Sequence, residues 1–552
     1  MKRRPFEESP PHREHLGHTV AWTRVVLGLI LALPAPLVGC SSRSSDGPPP
    51  AKRTTVPEKT VKPSTSDDVA LPVGYPLVED RDVWETVRAM GHKLGHQNVR
   101  VRRVTDGGRD EVRIESTSHA AFLRFGQPVA INTALTSRET RDGRLIDFEA
   151  TQTLGPSPTR TRGRVEGDRL YLEITGQGQK RTVELPWSER DGGLQTVEFS
   201  LLARPMRPGE TRTLRGLMPV FHQTATVRIT ARGYEEVQLL DGVKRLLRVE
   251  SSFLLSDGQT IDGTLWIDER GETLKTLVEG ALRQETYRCG RDEALDEQGL
   301  GTLDIGLLSM VALERRIPWP HASRRIRYRA SLADGDPAAA FVSGFSQQVK
   351  SLGPHSAELT VLAVRPDEPK ALPADANDAP TPDDLAPNSR IQSDDQQVRS
   401  MARAAVEGKR GDWEKAVALE RYVHENIHDK NLSQALASAA EVARSRAGDC
   451  TEHAVLLAAM ARAEGLPARV AIGLVYVEQP QEPRHAFGYH MWTEIFVEDR
   501  WIPMDATLGL GGIGGAHLKL AHANLKDADA MNPFLPVIKV LGQLKLEVLD
   551  CE

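Results

Sequence analysis

Cys450, His490 and Asp505 are the residues of this chain whose types and spacing can do chemistry together: a thiol to attack, an imidazole to take its proton, and a carboxylate to fix the imidazole's tautomer. Asp449 is a good helix N-cap residue and Glu452 stands three positions on. Asp449-Cys450-Thr451-Glu452 therefore reads as a capping box with Cys450 in the first helical position. The positive end of the helix macrodipole at that point favours thiolate over thiol and is expected to pull the cysteine pKa below its free value of about 8.5. The run from His453 to Glu464 is rich in Ala, Val, Leu and Met and is followed by Gly465 and Pro467, which predicts a buried helix.

A hairpin must deliver the other two groups. Tyr489 to Val497 and Arg500 to Asp505 read as strands around a turn at Glu498-Asp499. With those two residues central, Val497 pairs with Arg500, and Asp505 falls opposite Trp492 and diagonal to His490, about 7 to 8 Å between backbones. A loop one residue longer or shorter would put imidazole and carboxylate on opposite faces. A rival chemistry for the same stretch is metal binding, because Cys450-x-x-His453 and His485-x4-His490 have spacings seen at zinc sites. Only one thiol is offered there and the capped helix accounts for it, so no metal and no cofactor is expected.

The same residues carry a resemblance to the transglutaminase-like superfamily of papain-like cysteine enzymes. It lies in Arg446-Ala-Gly-Asp-Cys-Thr-Glu-His-Ala-Val-Leu-Leu457, Ala461-Arg-Ala-Glu-Gly-Leu-Pro-Ala-Arg-Val470, His490-Met-Trp-Thr-Glu494 and Trp501-Ile-Pro-Met-Asp-Ala-Thr507, and Ala516-His-Leu-Lys-Leu520 is similar to the family's closing motif. The resemblance spans roughly residues 390 to 525. It implies that Cys450 is the nucleophile, His490 the general base and Asp505 the orienting acid, with Trp492 of His-x-Trp beside the substrate. It further implies acyl transfer on protein or peptide amides, either hydrolysis by a cysteine peptidase or amidase, or cross-linking to an amine. The family's oxyanion donors do not map onto a motif here, and the Cys450 backbone N–H is expected to supply one. The competing class is a non-catalytic scaffold or binding protein that keeps the fold.

The elements that place this site occupy the rest of a 552-residue chain, long enough for several domains. A hydrophobic fraction of 39%, a charged fraction of 26% and a net charge of -6, with scattered Lys and Arg, predict globular material with no nucleic-acid partner. Residues 1–40 read as a lipoprotein-type signal peptide: basic Lys2-Arg3-Arg4 and Arg24, an apolar run from Val25 to Leu33 too short to span a bilayer, then Leu37-Val-Gly-Cys40. The last four resemble a bacterial lipobox, which makes Cys40 the lipidation site and membrane anchor and the bacterial envelope, on its extracytoplasmic, periplasmic face, the address. Of the 4 cysteines, lipid would consume Cys40, and a Cys289 to Cys551 bridge would leave Cys450 free.

Residues 41–74 are rich in Ser, Pro, Thr and Lys and read as a flexible tether. Residues 75–365 read as a β-rich region, mainly antiparallel, with strands such as Leu170 to Ile174, Thr226 to Thr230 and Leu359 to Val364. Turns are expected at Asp142-Gly143, Asp191-Gly192, Asp241-Gly242, Asp257-Gly258 and Gly271, and short helices near Arg81 to Leu94 and Leu307 to Glu314. Residues 366–388, dense in Pro and Asp, mark a linker, residues 389–525 the catalytic domain, and residues 526–552 a C-terminal extension. In the catalytic domain Val398 to Val406, Trp413 to Ile427 and Leu432 to Ala443 have helical apolar spacing, and Val470 to Tyr476 reads as a buried strand. Gly509-Leu-Gly-Gly-Ile-Gly-Gly515 lacks the Lys-Ser/Thr and βαβ context of a nucleotide loop and reads as a loop approaching the cleft. The fold class is α+β, a C-terminal papain-like domain preceded by antiparallel β structure.

Overall fold

In a computed structural model the residues described are 69–76, 79–153, 158–176, 179–219, 222–256, 258–280, 282–365, 378–428, 437–479, 483–526 and 532–552. The signal segment with Cys40, most of the tether and residues 366–377 of the linker lie outside them.

Hydrophobic alternation at period two dominates the first half of the chain, and it builds a 15-stranded sheet. Gln127–Thr140 shows why: its residues alternate between buried and exposed along the strand, as a sheet with one wet face requires. Two antiparallel meanders make up this sheet and meet where Arg81–Ala89 pairs with Gln284–Cys289. The helix expected near Arg81 to Leu94 is instead a hairpin of Arg81–Ala89 with the start of His92–Asp106, turned at Met90-Gly91 with φ of 49° and 83°. Arg81, Val83, Glu85, Val87 and Ala89 are all buried, so the period is two, and apolar content without the right period does not make a helix. Asp191-Gly192 is likewise no hairpin turn but a two-residue strand, parallel to Arg215 and Gly216. Asp142-Gly143, Asp241-Gly242 and Gly271 do turn the chain, each glycine at positive φ. A helix, Thr196–Ala203, is buried along nearly its whole length in the apolar cluster under the sheet.

Residues 305–312 hold a one-turn helix, Ile305–Leu308, and then Val311–Ala312, which pairs with Phe487 and Ala486 at the edge of a second sheet. That five-stranded sheet runs Val311–Ala312, His485–Val497, Ala468–Glu478, His517–Ala523, with Arg500–Met504 on His485–Val497. A third sheet, of four strands, joins Gln347–Gly353, Ser356–Leu362 and Arg325–Leu332 to Leu544–Cys551. Strands from before residue 365 thus close on the last strand of the chain, and one apolar cluster runs from Val87 to Val548 through all three sheets.

Cys450–Ala463 and Asp412–Asn426 pack on the second sheet, and Gln396–Ala405 and Ala439–Ser445 pack on Cys450–Ala463. The last is buried on every side, from Cys450 to Arg462, and its neighbours shield it from solvent. Among the described residues no helix is long and apolar enough to cross a membrane. Cys289, Cys450 and Cys551 are free thiols, and the bridge between Cys289 and Cys551 is not formed.

Candidate active site

The capping box forms as its residues dictate. Asp449 Oδ1 accepts from the Thr451 N–H and hydroxyl, each at 2.8 Å, and Glu452 Oε2 accepts from the Asp449 N–H at 3.0 Å. Cys450 begins the helix. Gly448, at φ 155°, approaches Glu452 so closely that a Cβ there would lie 2.2 Å from the Glu452 Cβ, so the turn into the cap needs glycine. Glu452 is also held by the Ala437 N–H at 2.8 Å, and burial pushes its carboxyl up to about 8.

The hairpin has the register its turn residues imply. Glu498 and Asp499 sit at φ 50° and 62°, Val497 pairs with Arg500 and Thr493 with Met504, so Asp505 leaves the strand opposite Trp492. His490 Nε2 donates to Asp505 Oδ2 at 2.8 Å, with both side chains buried. The strand is fixed to the helix Cys450–Ala463 by Thr493 Oγ1, which donates to the Ala454 carbonyl at 2.9 Å. Beside His490 in the pairing lies Gly473, where a Cβ would come within 1.9 Å of the Leu518 carbonyl oxygen. The close approach of these strands therefore depends on a missing side chain.

His490 thus has one nitrogen on the carboxylate, and the Cys450 thiol and the same ring act electrostatically on one another. The ring's Nδ1 is buried and has no partner of standard geometry among the described residues. Burial pushes the Cys450 thiol up, and the charges of His490 and Arg124 pull it back only in part, so the net shift is upward. This corrects the expectation from the helix dipole, because a sulfur only 1% exposed loses more solvation than the dipole returns. For His490 burial acts downward, but the Asp505 charge overcomes it and, with Cys450, lifts the imidazole to about 10. Asp505 is held well below the usual carboxylate range by the two imidazoles beside it, despite its burial.

Trp492 is 2% exposed, with its ring stacked on His490 at 6.3 Å and edge-on to that of His517 at 5.4 Å. It forms the wall behind the imidazole. Two supports of Asp505 were not assigned from sequence. His517 Nε2 donates to Asp505 Oδ2 at 3.0 Å, and Glu420 Oε1 accepts from the Asp505 N–H at 2.9 Å. Burial and the Asp505 charge push the Glu420 carboxyl up to about 8, against the backbone N–H groups of Gly511 and Gly512. The glycine-rich loop therefore wraps a buried carboxyl. The sequence signal for Glu420 was a charge within the apolar stripe of Asp412–Asn426; for His517 it was a polar residue in a strand that alternation would bury.

A third group comes from the first sheet. Arg124 ends the strand Arg109–Arg124, and its Nη2 lies 2.6 Å from Asp449 Oδ2 with both side chains buried. The hairpin tip is pinned by Asp304, which accepts from Phe125 N–H at 3.0 Å and Gly126 N–H at 2.7 Å. Below the site, Glu494 accepts from Arg469 at 2.8 Å and Lys519 at 2.7 Å, and these cations hold it at about 2 although burial opposes.

The metal pairs read from spacing do not assemble. His453 Nδ1 is engaged with the Asp449 carbonyl at 2.6 Å, and His485 lies at the far end of the strand from His490, beside Tyr476. The group of potential ligands found among the described residues is His490, Asp505 and His517, whose ligand atoms lie within 4.8 Å of one another. Hydrogen bonds already join these atoms, which accounts for the cluster without an ion. A groove of ≈ 1220 Å³ bordered by Arg469, His522 and Lys539 is lined by none of Cys450, His490 and Asp505.

Residues 399–506 match the family model of the Transglutaminase-like superfamily. Among solved structures, the chain is similar to a candidate cysteine protease from Cytophaga hutchinsonii (17% identity, 42% of this chain and 90% of that one, TM-score 0.26). It is also similar to the periplasmic domain of TgpA from Pseudomonas aeruginosa bound to ethylmercury (16% identity, 36% and 83%, TM-score 0.24). A third is a β-barrel-like protein of a domain of unknown function from Brucella abortus (8% identity, 40% and 97%, TM-score 0.29). No curated protein matches significantly.

Proposed function

We propose that the transglutaminase-like segment, residues 399–506, is the core of a thiol acyl-transfer enzyme acting on protein or peptide amides. The observation that carries this reading is the arrangement of His490, bonded through Nε2 to a buried carboxylate, with its Nδ1 unbonded and its charge acting on the Cys450 thiol. In the reaction the Cys450 S–H proton passes to His490 Nδ1, and the thiolate attacks the amide carbonyl carbon. The Cys450 backbone N–H, at the first helical position where no intrahelical acceptor exists, faces the developing oxyanion. Collapse breaks the C–N bond, His490 protonates the leaving amine, and a thioester remains on Cys450. Water or an amine then attacks the thioester, giving its proton to His490, and the thiol is restored as His490 returns it. Asp505 stays ionised throughout.

Iodoacetamide labelling of the full chain, with peptide mapping to separate Cys450 from Cys289 and Cys551, tests this. The expected result is modification of Cys450 that is faster than that of Cys289 and Cys551 at the same pH and is lost in His490→Ala. A Cys450 no more reactive than an ordinary thiol favours the non-catalytic scaffold, the reading that the 1% exposure of the sulfur supports.

The reading extends to location: lipid on Cys40 tethers the catalytic body to the extracytoplasmic, periplasmic face of a bacterial envelope, as the sequence Leu37-Val-Gly-Cys40 implies. Growth with labelled palmitate is expected to label the wild-type chain and to leave Cys40→Ala blank. Equal label on both would end the anchoring proposal.

A further inference from the structure

We propose that His517 is a positioning residue of this site: its Nε2–H, aimed at the same oxygen of Asp505 that His490 uses, fixes the carboxylate so that it in turn aligns the catalytic imidazole. The inference rests on the proposed roles of Cys450 and His490 and concerns a residue to which those roles assign nothing.

The geometry is that of a carboxylate locked on both oxygens. Oδ2 receives His490 Nε2 at 2.8 Å and His517 Nε2 at 3.0 Å, while Oδ1 receives the Thr507 N–H at 2.9 Å and the Leu508 N–H at 3.4 Å. An ionised carboxylate only accepts, so both imidazoles carry their proton on Nε2. For His490 that leaves Nδ1 as the nitrogen that gains and gives up the second proton, the exchange the proposed reaction needs. The His517 ring is itself held: it lies edge-on to Trp492 at 5.4 Å, 5.9 Å from His321 and 6.0 Å from His490, with its Nδ1 unbonded.

The charged and titratable groups facing His517 are Asp505, His490 and His321, with Glu420 and Cys450 behind the first two. Burial pushes His517 down, more than the Asp505 charge lifts it, so it stays neutral where His490 is the ring that charges. Burial likewise lowers His321 to about 4, which keeps a competing positive charge away from the carboxylate. Two imidazoles on one oxygen therefore divide the work. One holds, and the other titrates.

Without the His517 donor, Oδ2 keeps one partner, the carboxylate gains freedom about its side-chain torsion, and His490 loses the fixed orientation with which it takes the thiol's proton. The expected result for His517→Ala in the full chain is a roughly tenfold slower alkylation of Cys450 by iodoacetamide at pH 6.5, with the pH–rate profile moved up by about one unit. His517→Gln places an amide N–H where Nε2 stands and is expected to remain within about threefold of wild type, because a neutral donor suffices. Thermal melts of each variant accompany the rates. An Ala variant with the wild-type profile overturns the inference, whatever its melting point, and so do Ala and Gln variants that lose rate equally. A wild-type Cys450 that is no more reactive than Cys289 and Cys551 is a different outcome, since it removes the acyl-transfer reading itself.

Discussion

Asp505→Asn is expected to lower the rate of Cys450 acylation by about 10⁴-fold while leaving the chain folded. The change is almost isosteric, and Oδ1 still accepts from the Thr507 and Leu508 N–H groups at 2.9 and 3.4 Å. The amide nitrogen then stands where Oδ2 was and faces two imidazole N–H donors at 2.8 and 3.0 Å. Donor cannot meet donor. Both rings must shift their proton to Nδ1, which in His490 is the nitrogen needed to take the proton from sulfur. The imidazole charge that opposes burial at the Cys450 thiol is then weakened, so the thiol is pushed further up. The measurement is the pH dependence of iodoacetamide labelling at Cys450, with circular dichroism as the check on folding. An Asn variant within tenfold of wild type at pH 6.5 would remove Asp505 from the proposed triad.

Arg124→Met is expected to cost about 3–5 kcal/mol of stability, the typical loss when one partner of a buried ion pair is removed. The stem of methionine fills much of the same space, but Asp449 Oδ2 loses the guanidinium at 2.6 Å and remains buried in the cap of the helix Cys450–Ala463. The Asp449 charge also acts upward on the thiol and the Arg124 charge downward, so the same change is expected to slow Cys450 labelling at fixed pH. A C-terminal fragment starting near Asp384 lacks Arg124 and also Arg325–Leu332, the strand on which Leu544–Cys551 is paired. It is expected to be insoluble or unreactive for both reasons. Thermal melts of Arg124→Met and expression of the fragment check these statements. A fragment that folds and labels at the wild-type rate would show that the β-rich region is a separate body.

The proposed site is also unusual in where its solvent lies. Cys450, His490, Trp492 and Asp505 are at most 3% exposed, so a substrate amide reaches the sulfur only if the groups around it part. The pinned tip of the hairpin Arg109–Arg124 and Gln127–Thr140 bears on the cap residue itself, which makes the first sheet part of the site's surroundings and not merely an attachment.

What the sequence determined by itself is whatever is encoded within a few residues. The capping box, the start of the helix at Cys450, the turn at Glu498-Asp499 and the pairing of Val497 with Arg500 follow from local hydrogen bonding and backbone preference, and they place Cys450, His490 and Asp505 in advance. The alternation that marks Leu170 to Ile174 and Thr226 to Thr230 as strands is local too. Tertiary structure decided everything that depends on which surfaces meet. Arg81–Ala89 became a strand because Gln284–Cys289 and His92–Asp106 flank it, and Asp191-Gly192 joined a sheet because Arg215 and Gly216 lie alongside. Arg124, Glu420 and His517 became partners of Asp449 and Asp505 through contacts that no local pattern specifies. The direction of the Cys450 shift belongs to the same class. A helix N-terminus can be read from four residues, whereas the loss of solvent around a sulfur is the sum of every chain segment packed over it, and that sum exists only once the chain has folded.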